Sequence, residues 1–249
     1  MKNKKIKIRS WDVETSLSIV TTFSLRNDYI SPDNIIQDWN ILCGSWKLLE
    51  EDKVHSVVVK EVQDDYEVTK TLRDMIEDTD ILIHHNGKKF DLKKLNTRIL
   101  KHGLPPLDKK LLQVDTYLEA RKNFGFTSNK LDYIARYLEV GKKLPHSEGL
   151  WRAVLNGDKK ALKEMVAYNK HDVVILEGVY NKMRPYIDHP NMGAFFHDDI
   201  EHCPNCGSNH LQRWGTRITA TGLGYHRYRC VKCGSYSQGR KVDSKTLLK

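Results

Sequence analysis

Four acidic residues and a tyrosine stand at spacings that could carry chemistry. In WDVET, Asp12 and Glu14 end a strand-like segment. Side chains at i and i+2 of a strand leave the same face, so both carboxylates can project toward one point while Val13 turns into the core. In AYNKHDVVILEGVY, Tyr168 and Asp172 are one helical turn apart, on a face that Ile175 and Val179 continue. An acid on the apolar side of a helix is costly to bury without a partner or a metal. One of the abundant lysines could serve as that partner. Between these two motifs, ILIHHNGKKFD ends a buried-strand run in an Asn86-Gly87 turn and sets Asp91 at the first turn of the next element. A carboxylate there also suits a helix N-cap.

A second constellation lies near the C-terminus. Four of the five cysteines form two CxxC pairs, Cys203/Cys206 and Cys230/Cys233, with 23 residues between the pairs. Each CxxC turn offers two thiolates to one ion, and Gly207 and Gly234 permit the tight turns beneath them. The expectation is one structural Zn²⁺ and a small module that depends on it. The fifth, Cys43, sits apart in an apolar context and reads as a small buried hydrophobe. In GYHRYRC, alternation puts Arg227 and Arg229 on one strand face and Cys230 on the other, which makes the arginine face a candidate nucleic-acid contact. Trp214 and Tyr225 could stack on bases, with packing the expected role for Trp214.

The elements that must hold these residues follow from periodicity. Strands are expected at Ile6 to Trp11, Ser18 to Leu25, Ile41 to Leu48, His55 to Val62, Ile81 to His84 and Leu111 to Asp115. Helices are expected over Thr69 to Asp78, from Leu92 to Leu100, over Leu131 to Leu138, over Lys159 to Ala167, and from Val166 to Met183. Early strands followed by interleaved strands and helices imply an α/β fold with a mixed sheet flanked by helices, plus the small cysteine module. Pro185 and Pro190 mark a boundary. The divisions are a main domain over 1–187, a linker over 188–200, a zinc ribbon over 201–240 and a basic tail over 241–249.

Charge is uneven along the chain. Of the net +9, residues 201–249 hold +7, with nine Lys or Arg against two acids. Such a tail fits a polyanion, nucleic acid being the usual one. At 249 residues the chain has no room for a polymerase or helicase module as well. The apolar runs are short and bounded by charge, and the start MKNKKIKIRSWD holds no signal-peptide core. A soluble protein of a reducing, cytoplasmic compartment is expected, with no membrane contact.

The order DxE, then N-x3-FD, then Y-x3-D resembles the DEDD (DnaQ-like) exonuclease superfamily, and NGKKFDLKKL looks most like the proofreading exonuclease domain of family-B DNA polymerases. The likeness runs over roughly residues 6 to 183 and includes LDYIARYLEVGKK. It implies a ribonuclease-H-like fold and hydrolysis of single-stranded nucleic acid from the 3′ end, DNA favoured. It also assigns metal binding to Asp12, Glu14, Asp91 and Asp172 and water positioning to Tyr168. The superfamily's histidine form has His five residues before the last Asp; Ala167 stands there, so the tyrosine type is implied. Two divalent ions suit the reaction because they stabilise both the entering and leaving oxygens, and carboxylate ligands favour Mg²⁺ or Mn²⁺. In that scheme Asp12 bridges, Glu14 serves the nucleophile side, and Asp91 and Asp172 complete the shells. Asn86 is a candidate nucleic-acid contact, Lys142 or Lys143 could meet phosphate, and Asp115 stands in reserve for Asp91. His84, His85 and His171 fall off the matched positions and read as structural or substrate-contacting. Partners would be DNA or RNA 3′ ends and a replication or repair protein. The rival functions are an exoribonuclease, a structure-selective nuclease, and a non-catalytic nucleic-acid-binding or recruitment protein.

Overall fold

A computed structural model describes residues 6–24, 26, 29–195 and 201–242. The last seven residues of the basic tail, Lys245 and Lys249 among them, and residues 196–200 of the expected linker lie outside the described residues.

The main sheet is built from β1 (Ile8–Thr15), β4 (Ile41–Leu48), β5 (Val54–Val58), β6 (Ile81–His84) and β7 (Leu112–Asp115), in the order β5-β4-β1-β6-β7. β5, β4 and β1 pair antiparallel, whereas β1, β6 and β7 run parallel. A short pair, β2 (Ile19–Val20) with β3 (Ile35–Gln37), follows β1. Among the described residues, which leave out Leu25, the strand expected over Ser18 to Leu25 shrinks to Ile19–Val20. Leu17, Ile19 and Phe23 are exposed, so no packing surface supports a longer ladder.

All eight residues of β1 and all eight of β4 are buried or only partly exposed because both faces are covered. Leu82 in the middle of β6 packs with Trp11 and Val13 against α1 (Tyr66–Glu77) and α2 (Asp91–Lys101). Ile81 and Ile83, one position either side, pack with Ile8 and Val114 against α3 (Thr116–Asn123), α4 (Leu131–Tyr137) and the second half of α6 (Lys159–Met183). That alternation is the period-two geometry of a strand buried on both faces. α1 approaches β4 at Gly44, where a Cβ would stand 2.7 Å from a Leu72 methyl.

α5 (Leu150–Leu155) packs on α6, whose two expected pieces form one 25-residue helix capped by Asp158 through the amides of Lys160 and Ala161. Nothing between Ala161 and Met183 interrupts its buried face.

The second unit is a three-stranded antiparallel sheet, β8 (Leu211–Ile218), β9 (Gly224–Cys230) and β10 (Tyr236–Lys241), in the order β10-β9-β8. Its sheet reaches Lys241, one residue beyond the expected end of the ribbon, and Val242 is buried after it. Its first cysteine turn docks on the end of α6. Arg184 donates from Nε to the Asn205 carbonyl at 3.0 Å and from Nη2 to the Cys206 carbonyl at 3.3 Å. Asn205 Nδ2 returns bonds to the carbonyls of Arg184 and Pro185. The described start of the expected linker meets the ribbon at Met192, whose amide donates to the Pro204 carbonyl.

Candidate metal and active centre

β1 supplies Asp12 and Glu14 from the strand face shared with Ile8 and Ser10, opposite Trp11 and Val13. α6 crosses that face and lowers Asp172 and Tyr168 onto it. Carboxylate oxygens of Asp12, Glu14 and Asp172 all lie within 4.8 Å of one another. Asp91 is the first residue of α2, with Phe90 at the cap position and no side-chain capping bond there. Instead the backbone amides of Asp91 itself and of Val13, between the two acids of β1, favour its charged form, and its charge reaches Asp12. The capping role goes to Asp115, which accepts from the amides of Tyr117 and Leu118 at the start of α3 and from the Asn86 amide at 2.8 Å.

Electrostatics marks the cluster as short of positive charge. Burial, then repulsion from Asp91, Glu14 and Asp172, holds the Asp12 carboxyl well above its ordinary range. Burial and the charge of Asp172 raise Glu14 to about 7, and burial raises Asp91 to about 6 against the favourable pull of His84. Asp172 is also raised by burial, although Lys143 opposes the shift. Lys143 Nζ lies 2.5 Å from Asp172 Oδ2 and 2.9 Å from the Tyr168 hydroxyl, and it sits 5.0 Å from the tyrosine ring centre. The lysine partner for Asp172 is thus real. It leaves Asp172 Oδ1 buried with no hydrogen-bond partner among the described residues. One ammonium does not balance four clustered carboxylates, and an orphaned carboxylate oxygen in such a group is what a divalent cation would satisfy.

Lys143, Asn169 and Cys43 join the four acids and Tyr168 at the site. Asn169 donates Nδ2 to Asp12 Oδ2 at 2.7 Å. Its signal was adjacency to Tyr168 on the helix, with full burial of an amide as the consequence. Lys143 is held by its own amide, which donates to Asp132 Oδ1 of α4. Cys43 lies directly across the ladder from Glu14, buried, with its thiol pushed up by burial and then by the neighbouring acids. No local pattern could have paired it with Glu14, because the β1–β4 register is a tertiary property.

The histidines are committed elsewhere. His84 stands 3.4 Å from Asp115 and 3.2 Å from Gln113. His85 is shared between Thr116 and the Asn129 carbonyl, with burial lowering it to about 4. His171 meets the Lys142 carbonyl, so Lys142 contributes its backbone there. Burial would raise Asp115, but the hydrogen bond and charge of His84 bring it down to about 2, keeping it an anion in its capping role. Asn86 adopts φ 64 at the turn between β6 and α2. Gly87 follows, where a Cβ would lie 2.7 Å from the His84 ring.

In the ribbon, all four cysteine Sγ atoms lie within 4.8 Å of one another, with Cys203–Cys233 at 3.7 Å and Cys206–Cys230 at 3.5 Å. Ligands about 2.3 Å from a tetrahedral ion are separated by about 3.8 Å, so this set fits Zn²⁺. Arg227 and Arg229 lie on the face away from Cys230, as alternation implied, and Trp214 is 45% exposed beside them, outside any core.

Comparison with known proteins agrees with this architecture. A stretch of 90 residues, 36% of the chain, is 33% identical to the DNA polymerase III PolC-type of Ureaplasma parvum and spans 5% of that protein. The family B DNA polymerase of the archaeon Pyrobaculum calidifontis superposes with a TM-score of 0.54 and 18% identity, covering 74% of this chain and 25% of the polymerase. The chain therefore spans a small part of each of these proteins' length. Residues 36–184 match the RNase_H superfamily. With that match covering more than half of its length, and with β1, β6 and α6 arranged as described, the chain belongs to the RNase H superfamily.

Proposed function

We propose that this protein is a 3′→5′ exonuclease of the tyrosine type, hydrolysing single-stranded nucleic acid, DNA in preference to RNA. The observation that carries the reading is the convergence of Asp12, Glu14 and Asp172 within 4.8 Å, with the orphaned Asp172 oxygen among them. The 3′→5′ sense and the preference for DNA come from the motif resemblance and from the polymerase names of the relatives. Asp12, Glu14, Asp91 and Asp172 would hold two Mg²⁺ or Mn²⁺ ions, which when bound supply charge neutralisation at phosphate and a water of lowered pKa.

The protein's own groups do the rest. Asn169 fixes the Asp12 carboxylate by its 2.7 Å bond, leaving the other oxygen free to ligate. The Tyr168 hydroxyl, held at 2.9 Å by Lys143, is a hydroxyl of fixed orientation beside the acids, suited to hydrogen-bond an attacking water. The raised Glu14 carboxyl, near 7 without a cation, is ready to accept a proton or a metal.

Release of nucleotides from 3′-labelled and 5′-labelled single-stranded DNA and RNA, with Mg²⁺ or Mn²⁺, tests the reading. Mononucleotides are expected from the 3′ end. Asp12→Ala is expected to abolish release, and Tyr168→Phe to slow it by about 10²-fold or less, the cost of losing one positioning contact. Equal activity in wild type and Asp12→Ala would sink the assignment.

A further inference from the structure

We infer that the exposed face of the ribbon sheet is a binding surface for single-stranded polynucleotide, built from paired arginines and aromatic rings. The inference goes beyond the cleavage reading and does not depend on it, because a chain silent at Asp12 would still carry this surface.

Three observations place it. The ladder registers set Arg229 opposite Gln212 and Tyr236, Arg227 opposite Gln238, and Tyr225 opposite Arg217 and Lys241. Directly opposed residues of an antiparallel sheet share a face, so these side chains form one surface away from the cysteines. The arginines are also seated on rings: Arg227 lies 4.2 Å from the Tyr236 ring centre and Arg229 lies 5.5 Å from that of Trp214. Trp214 and Tyr236 are 6.2 Å apart and both remain about half exposed. A shallow cleft opens among Arg217, Arg227, Tyr236 and Gln238.

Charge selects the class of occupant. Between residues 202 and 242 the sequence contains no Asp or Glu. Arg240 reaches Glu201 and Lys232 reaches Glu50, but among the described residues Arg217, Arg227 and Arg229 have no acidic partner. Among the described residues the face is therefore cationic without compensation. Phosphates alone would need only cations. Half-exposed rings among them call for a ligand with unstacked planar groups, which a single strand offers and a duplex does not. A guanidinium lying over a ring keeps its edge free for a phosphate oxygen, and the stacking limits the side-chain freedom lost on binding.

The test uses the full chain carrying Asp12→Asn, in buffer without added Mg²⁺ or Mn²⁺ and with the oligonucleotides verified at full length after each titration, so that binding is read apart from cleavage. Fluorescent oligonucleotides of about 20 nucleotides, oligo(dT) and oligo(rU), are titrated beside a duplex of equal length and polyglutamate. Both single strands are expected to bind more tightly than the duplex, and their order shows which sugar is preferred. Trp214→Ala with Tyr236→Ala should weaken single-strand binding by at least about tenfold. Arg217→Gln with Arg227→Gln, which leaves both rings in place, should lower the slope of log K against log salt by about 1.4. Unchanged binding in the double ring variant, a duplex bound as tightly as a single strand, or competition by polyglutamate equal to that of oligo(dT) would each overturn the inference.

Discussion

At the residue scale, four carboxylates gathered with one ammonium make stability depend on protons and cations together. Asp12, Glu14 and Asp91 hold their protons more tightly folded than unfolded. Stability carried by such a proton is complete below the unfolded pKa and is lost as pH rises through the folded one. For Glu14 that window runs from 4.5 to about 7. The burial of His85, lowered to about 4, works in the opposite sense over part of the same range. A comparison with Glu14→Gln therefore isolates the acid. In solution without Mg²⁺ or Mn²⁺, the wild type is expected to lose stability relative to Glu14→Gln as pH rises from about 4.5 to about 7, and added Mn²⁺ should restore more at the higher pH. Parallel melting curves that keep a constant gap would refute this. Asp12, Glu14, Tyr168 and Asp172 were legible because strand and helix periods fix which neighbours share a face. Which acid Lys143, Asn169 and Cys43 each meet was not, since the pairings Lys143–Asp172, Asn169–Asp12 and Cys43–Glu14 are tertiary contacts that no local spacing encodes.

At the scale of elements, α6 and the turn between β6 and α2 decide where the site forms. The sequence patterns located β4, β6, α2 and α4 closely. They divided α6 into two pieces, because the polar residues near Tyr168 that serve the site break up its apolar stripe. Another determinant is a buried carboxylate at the start of α1. Asp65 accepts from Arg98 Nε and Nη2, each at 2.6 Å, from His102 Nε2 at 2.7 Å and from the Ile41 amide at 2.9 Å. Burial opposes its charge, but these donors, Arg98 first, hold its pKa below the ordinary value. One side chain thus ties α1, α2 and the start of β4. Asp65→Ala strands the buried Arg98 and is expected to cost about 3–5 kcal/mol in denaturant unfolding. A loss under about 1 kcal/mol would mean that the network contributes as little as an exposed pair.

For the whole molecule, the two units are joined by hydrogen bonds and by the shared end of α6. The ribbon's buried apolar set is small, with Leu211 and the cysteines at its centre, so its sheet should require the ion. Stripping the ion from the four cysteines with a zinc chelator is the test of that requirement: if they hold Zn²⁺, the amides of β8, β9 and β10 are expected to become open to hydrogen exchange while those of β1 and β6 stay protected. Persistent protection in the zinc-free ribbon would show a sheet that stands on packing alone. The four-cysteine module was legible from spacing, whereas its docking on Arg184 was not, because that contact is to main-chain atoms. The contact has an engineering consequence. Arg184 recognises two carbonyls of the knuckle, and only Asn205 answers with a side chain. The joint therefore reads the path of a folded cysteine turn and a single amide, and ribbons with other strand faces could be transplanted onto this nuclease fold provided that an asparagine is kept between their first two cysteines.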